Sequence, residues 1–158
     1  MRSIAAKFII GAAITAIGLF GADNSIGTWK RNIEKSKSSS TNPNPYKSQT
    51  TTRTAVDGGV KVTLAGERKD GTPSSGSYTV KYDGKPTPIS VTGSSFDTIA
   101  VKQIDANTFT SETSKTGGKY HMKGKTVISK DGKTMTLTQK GTGADGKPLS
   151  STVVYDKQ

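Results

Sequence analysis

The residue types able to do chemistry are few. The chain has 158 residues, one histidine (His121), no cysteine and twelve acids. A lone histidine without cysteine cannot complete a zinc site of the usual kind. Five of the acids stand in Asp-Gly pairs, at Asp57, Asp70, Asp83, Asp131 and Asp145, where turn geometry accounts for them. No Ser-His-Asp arrangement is legible, and Gly93-Ser94-Ser95 does not fit a nucleophile elbow. The sequence therefore predicts a protein that is not an enzyme and needs no cofactor. What remains is a set of aromatic and thioether side chains: Tyr78, Tyr82, Phe109, Tyr120, Met122, Met135 and Tyr155. Gathered on one surface they are either plain core or an apolar pocket wall on which a few phenol hydroxyls orient a small ligand.

Their positions follow a period of two. Val60, Val62 and Leu64 alternate with Lys61, Thr63 and Ala65, and Tyr78, Val80 and Tyr82 with Thr79, Lys81 and Asp83. The same alternation recurs around Ile99 and Val101, Tyr120 and Met122, Met135 and Leu137, and Val153 and Tyr155. Strict alternation marks half-buried antiparallel strands, and the abundant threonine favours them. By parity His121 points outward. Asp-Gly between alternating runs predicts hairpins with tight primed turns, and Gly117-Gly118 and Asp105-Ala106-Asn107 supply further reversals. About ten strands result, over 27–32, 47–55, 60–68, 76–83, 87–92, 97–104, 107–114, 119–129, 134–141 and 148–156. The Ser/Pro-rich stretch 36–45 between the first two is a loop. A long meander removes its exposed edges by closing, so the fold class is an all-β, up-and-down meander closing into a small barrel. Trp29, the only tryptophan, lies in the first strand and plugs the barrel's closed end.

Arg2 and Lys7 followed by the uncharged run from Phe8 to Phe20 read as a secretory signal; 13 residues are too few to span a bilayer as a helix. The expected division is a signal-peptide helix over 1–22 and a barrel domain over 23–158, with a cut near Gly21-Ala22-Asp23; an uncleaved anchor is the alternative. The protein is then secreted or periplasmic and has no transmembrane span once the signal is removed. From residue 23 on, Leu, Ile, Val and Phe make up 20 of 136 residues, which by composition alone falls in the disordered range. Their regular spacing argues for a fold instead. The formal net charge is +11, mostly from lysine. Lysines at 61, 81, 102, 123 and 140 fall on the face opposite the apolar set, which counts against an outer-membrane barrel with its lipid-facing apolar bands. The aromatics fall on the other face, so no nucleic acid is expected as a partner.

Gly27-Thr28-Trp29-Lys30 at the head of a β-meander resembles the Gly-x-Trp signature of the calycins, the lipocalins and fatty-acid-binding proteins. Val153-Val154-Tyr155-Asp156-Lys157 resembles the last strand of the fatty-acid-binding proteins. Taken whole, the chain is similar to small exported bacterial proteins described as lipocalin-like. The resemblance implies a barrel holding a small apolar ligand, with Trp29 packed at the closed end beneath a basic side chain, here Lys157. Two departures stand out. The family's helical lid is replaced by the loop 36–45. The family also holds a ligand carboxylate with an arginine two residues before the last-strand tyrosine; here that position is Val153, and Tyr155 alone matches. The reading is a monomeric, lipocalin-like protein that binds a small apolar molecule. The alternatives are a basic β-module that binds an anionic surface or polymer through lysines, and a structural envelope protein without a ligand.

Overall fold

The computed structural model describes residues 22–39 and 45–158, and among them there are ten strands and no helix. The leader expected over 1–22 lies, but for Ala22, outside the described residues, as do residues 40–44 of the Ser/Pro loop. The strands are β1 (Gly27–Ser38), β2 (Tyr46–Val56), β3 (Gly59–Arg68), β4 (Pro73–Lys81), β5 (Thr87–Pro88), β6 (Thr98–Asp105), β7 (Thr108–Ser114), β8 (His121–Ile128), β9 (Thr134–Thr142) and β10 (Pro148–Lys157). They form one antiparallel sheet in the order β4-β3-β2-β1-β10-β9-β8-β7-β6-β5. Each strand pairs with its sequence neighbour, except across β4 and β5, and the two ends of the chain meet in the β1–β10 ladder. The result is a nearly closed barrel. Its seam runs between β4 and β5–β6, stitched by the bridges Gly76–Val91 and Asp83–Lys102.

Three features differ from the sequence expectation. First, β1 continues to Ser38 instead of ending near residue 32. The strand passes an irregularity between Asn32 and Lys37, where side chains replace ladder bonds. Ser36 Oγ donates to the Asn32 carbonyl (2.6 Å) and accepts from the Val154 amide (3.1 Å), while Asn32 Oδ1 accepts from the Lys35 amide. Second, β5 has only two residues, because Pro88 has no N–H to donate and Pro86 restricts the chain before it. Third, the Asp-Gly reversals are not primed turns of type I′. All five glycines have positive φ, but no non-glycine residue does, whereas type I′ needs both central residues there. Instead the aspartate keeps a negative φ. At Gly71, Gly132 and Gly146 the glycine amide closes on the carbonyl three residues back, a type I turn followed by a left-handed glycine. In the Asp70, Asp83, Asp131 and Asp145 turns the carboxylate accepts the amide two residues on.

The apolar residues occupy one face. The main core joins Val60, Val62, Val80, Tyr82, Ile89, Ile99, Val101 and Phe109. A second cluster gathers Trp29, Ile128 and Met135, with Tyr155 against it. Trp29 has no exposed surface. Its indole N–H donates to the Ser25 carbonyl at 2.8 Å, and Lys157 Nζ lies 5.0 Å from the ring centroid, within cation–π range. The Gly-x-Trp pattern has a local cause: Gly27 has φ +130°, and a Cβ there would meet Lys157 Cε at 3.0 Å. Any side chain at 27 would displace the lysine that covers the indole.

Trp29→Ala should lower unfolding stability by about 3–5 kcal/mol, as for a fully buried large aromatic side chain. Urea denaturation followed by far-ultraviolet circular dichroism, which does not need the indole, measures this; a loss below about 1 kcal/mol would mean that Trp29 does not hold the base.

Candidate functional site

At the base, residues 22–26 cross beneath the sheet. Asp23 Oδ1 accepts the amide and hydroxyl of Ser25 (2.8 and 2.5 Å), and Asp23 Oδ2 accepts the Tyr82 phenol at 2.5 Å. Ser25, fully buried, also accepts Arg53 Nε on its hydroxyl at 3.0 Å. Asn24 reaches the β6–β7 turn, with its amide donating to the Ala106 carbonyl and its side chain to Asn107. Burial, and then the hydrogen bond to Asp23, push the Tyr82 phenol up to about 12.

Above this base lies a polar belt on the inner wall. Register places Tyr155 of β10 opposite Arg31 of β1. The two side chains share one acceptor: Gln49 Oε1 of β2 takes Arg31 Nη1 at 3.2 Å and the Tyr155 hydroxyl at 3.3 Å. The Arg31 guanidinium also lies over the Tyr46 ring at 4.6 Å, with Arg68 on the same ring at 5.6 Å. Gln49 and Thr51 are buried. Arg31 Nε is enclosed without a hydrogen-bond partner; the buried hydroxyls of Thr51 and of Thr113 on β7 make no well-aligned hydrogen bond, though each lies close to a phenol, that of Tyr155 and of Tyr120 respectively. A buried donor left unpaired costs about 1–3 kcal/mol, more on a charged group. The described ion pairs are Lys47–Glu67, Lys115–Asp97 and His121–Glu112, so no carboxylate among the described residues neutralises Arg31. Burial raises the Tyr155 phenol, and the neighbouring Arg31 charge partly offsets that; burial likewise raises Tyr78, offset by Arg53.

The seven residues expected as a pocket wall fall into separate zones. Tyr82 and Phe109 pack together in the lower core, with ring centroids 5.3 Å apart. Met135 packs with Trp29, and Met122 is fully buried beside Thr113 in the β7–β8 register. Tyr78 is partly buried against the main core, and Tyr155 belongs to the belt. Tyr120 stacks on Phe96 at 5.9 Å, near the end opposite Trp29. Two depressions in the described surface, of about 450 and 180 Å³, involve none of the seven: the larger lies on the outer faces of β8 and β9, and the smaller sits where β1, β10 and β9 meet, with outward Thr138, Lys140 and Thr152 beside inward Gln139 and Ser151. His121, outward as expected, pairs with Glu112. Among the described residues no group of three or more His, Cys, Asp or Glu could hold a metal ion, and no helix is long and apolar enough to cross a membrane.

The reading of apolar alternation passed over Arg31, Gln49, Thr51 and Arg53. The signal was present in parity: Arg31 lies two residues after Trp29, and 49, 51 and 53 share one face of β2. A second signal is the choice of cation. Every lysine among the described residues is exposed, while Arg31, Arg53 and Arg68 are all partly buried. The guanidinium is more weakly hydrated than an ammonium and keeps its charge when enclosed.

No protein-family model matches the chain, and no curated protein matches it in sequence. Solved structures do match in shape. A Schistosoma mansoni fatty-acid-binding protein in complex with arachidonic acid superposes with a TM-score of 0.57 at 13% identity, over 85% of this chain and 96% of the other. A zebrafish ileal bile-acid-binding protein complexed with cholic acid gives 0.51 at 13% identity, over 86% and 100%. The chain thus has the fold of these two binding proteins.

Stability should fall as pH rises from 10 towards 12. The unfolded Tyr82 phenol ionises near 10 and the native one near 12. Its contribution is therefore fully present below pH 10 and lost as pH rises through the native value. Tyr82→Phe should lose about 1 kcal/mol at neutral pH with the Asp23 hydrogen bond, and show a shallower alkaline decline. Urea midpoints measured across this range test both; an unchanged alkaline slope would remove Tyr82 from the base network.

Proposed function

We propose that this protein is an exported, monomeric, non-enzymatic carrier whose barrel holds one small molecule with an apolar body and an anionic head. The observation that carries this reading is Arg31. A guanidinium on the inner wall, with an enclosed Nε that has no partner and no carboxylate to neutralise it, is suited to a ligand oxyanion. Gln49 and Tyr155 bracket the same point, and the Tyr155 hydroxyl can turn to donate to an anion. The family arginine absent from position 153 has a spatial counterpart here: Arg31 faces Tyr155 across the β1–β10 ladder. Leu64, Tyr78 and Leu137 on the inner faces of their strands would line the path of the apolar body. The fold neighbours named above were solved with arachidonic and cholic acids, each a carboxylic acid with a large apolar part.

Export rests on the leader pattern of residues 1–22. A cut at Gly21–Ala22 or Ala22–Asp23 would leave Asp23 and Ser25 in place to close the base. The mass of the processed protein recovered from a bacterial host tests this; a product beginning after Asp23 would contradict it.

Dansyl-labelled undecanoic acid should bind saturably with one-to-one stoichiometry, seen as dansyl emission excited through Trp29. Arg31→Met should weaken binding by roughly ten- to a hundredfold, the range for a hydrogen bond to a charged group. The methyl ester of the same probe should be affected less than twofold, about the scatter of a neutral substitution. Equal weakening of acid and ester would mean that Arg31 supports the wall and does not meet the head group. Absence of saturable binding by the folded wild-type protein would remove the carrier reading.

A further inference from the structure

We infer that the outer wall formed by β8, β9 and β10 is a binding trough for a linear acidic polysaccharide, independent of the barrel interior. Two depressions meet there. The larger, about 450 Å³, is lined by Lys123, Lys125, Val127, Thr136, Thr138 and Lys140. The smaller, about 180 Å³, shares Thr138 and Lys140 and continues over Ser150, Ser151 and Thr152 to Lys37 and Ser39 at the end of β1. The lining therefore carries four lysines and no acid.

The lysines of this wall lie close to one another. Lys123 and Lys140 are register partners on adjacent strands, and like charges directly opposite are destabilising. Two carboxylates border the wall without forming an ion pair with these lysines: Glu112 is the register partner of Lys123 on its β7 side and is hydrogen-bonded to His121, and Asp105 lies near Lys125. None of the four lysines forms a described ion pair. Gly124 between Lys123 and Lys125 leaves no side chain on the inner face, where a Cβ would meet Ser111 Oγ at 2.7 Å.

The lining chemistry selects the polymer. Threonine and serine hydroxyls between the lysines can donate to and accept from sugar hydroxyls, while the ammonium groups meet carboxylates or sulfates along the chain. Nucleic acid is disfavoured because no aromatic side chain lines the trough for base stacking, and the cations are lysine and not the arginine that base edges select. An anionic bilayer is disfavoured because the wall offers Val127 as its one large apolar side chain, at 40% exposure.

The test uses the whole folded domain against heparin and polygalacturonate by titration at several salt concentrations. Binding should weaken steeply with salt, as expected for counterion release. The double variant K123Q/K140Q should bind about tenfold more weakly, two exposed charge contacts being lost. It should also be no less stable to urea than wild type, since it relieves a repulsive pair. The matched variant K61Q/K81Q removes the same charge from β3 and β4, half-way round the sheet, and should bind within about twofold of wild type. Equal losses in the two variants would reduce the effect to net charge and overturn the proposal. So would double-stranded DNA or phosphatidylglycerol vesicles binding as tightly as the polysaccharides, or no binding to either polysaccharide.

Discussion

The hydrogen bond from the Trp29 indole to the Ser25 carbonyl is the constraint on which the barrel depends. It ties the approach segment 22–26 to the first strand at a point sealed from water. Everything else at the base is referred to that segment. Asp23 takes up Tyr82 from the far side of the sheet, Arg53 leans on Ser25, and Asn24 holds the β6–β7 turn. Strands distant in sequence are thereby joined through five residues that belong to no strand. Lys157 completes the seal from the other end of the chain by lying over the indole face. Its Cα partner across the ladder is Trp29 itself, so the two termini of the domain are locked by one aromatic ring.

The second organising fact is the sorting of cations. Lysine is spread over the outer wall and arginine is drawn inward. An ammonium placed inside would lose strong hydration and would tend to shed its proton, whereas a guanidinium keeps its charge and spreads it over a plane. Arg53 is absorbed by the base network through Ser25. Arg31 is not absorbed: Gln49 and the Tyr46 face stabilise it, but neither supplies a negative charge. The outer wall repeats the pattern in weaker form, with Lys123 and Lys140 opposed and neither in a described ion pair. Inside and outside, the protein holds positive groups that its own acids do not satisfy.

Much of the fold was legible because its signals are local. Alternation along each strand and a glycine at each reversal are visible within windows of a dozen residues, and ten strands in nearly the observed positions follow from them. The failures have both long-range and local causes. The extension of β1 past Asn32 depends on Ser36 reaching Val154, more than a hundred residues away. The loss of most of β5 depends on Pro86 and Pro88 at a seam where the sheet does not close. The site was read less well than the fold. Following only apolar residues found Tyr155 but not Arg31 and Gln49 beside it, because their meeting requires the β1–β10 register, which nothing near residue 31 reveals. Parity alone places Arg31 on the inner face with Trp29, two residues before it.

The scarcity of large apolar residues, which by composition alone suggests disorder, has a structural consequence. Those residues are concentrated in the main core and around Trp29. The wall between must then be filled by something else, and it is filled by Gln49, Thr51, Ser74 and Thr113, all buried. Such a wall gives little transfer free energy per unit area to a hydrocarbon chain, since polar groups gain nothing from losing water. It gives a great deal to a molecule that brings its own acceptor to unpaired donors. A barrel built this way discriminates through its enclosed polar atoms, and an all-aliphatic ligand would leave those atoms unpaired. The same sparing use of apolar residues that makes the fold dependent on its indole seal is, on the proposed carrier reading, what would favour an amphipathic ligand over an aliphatic one.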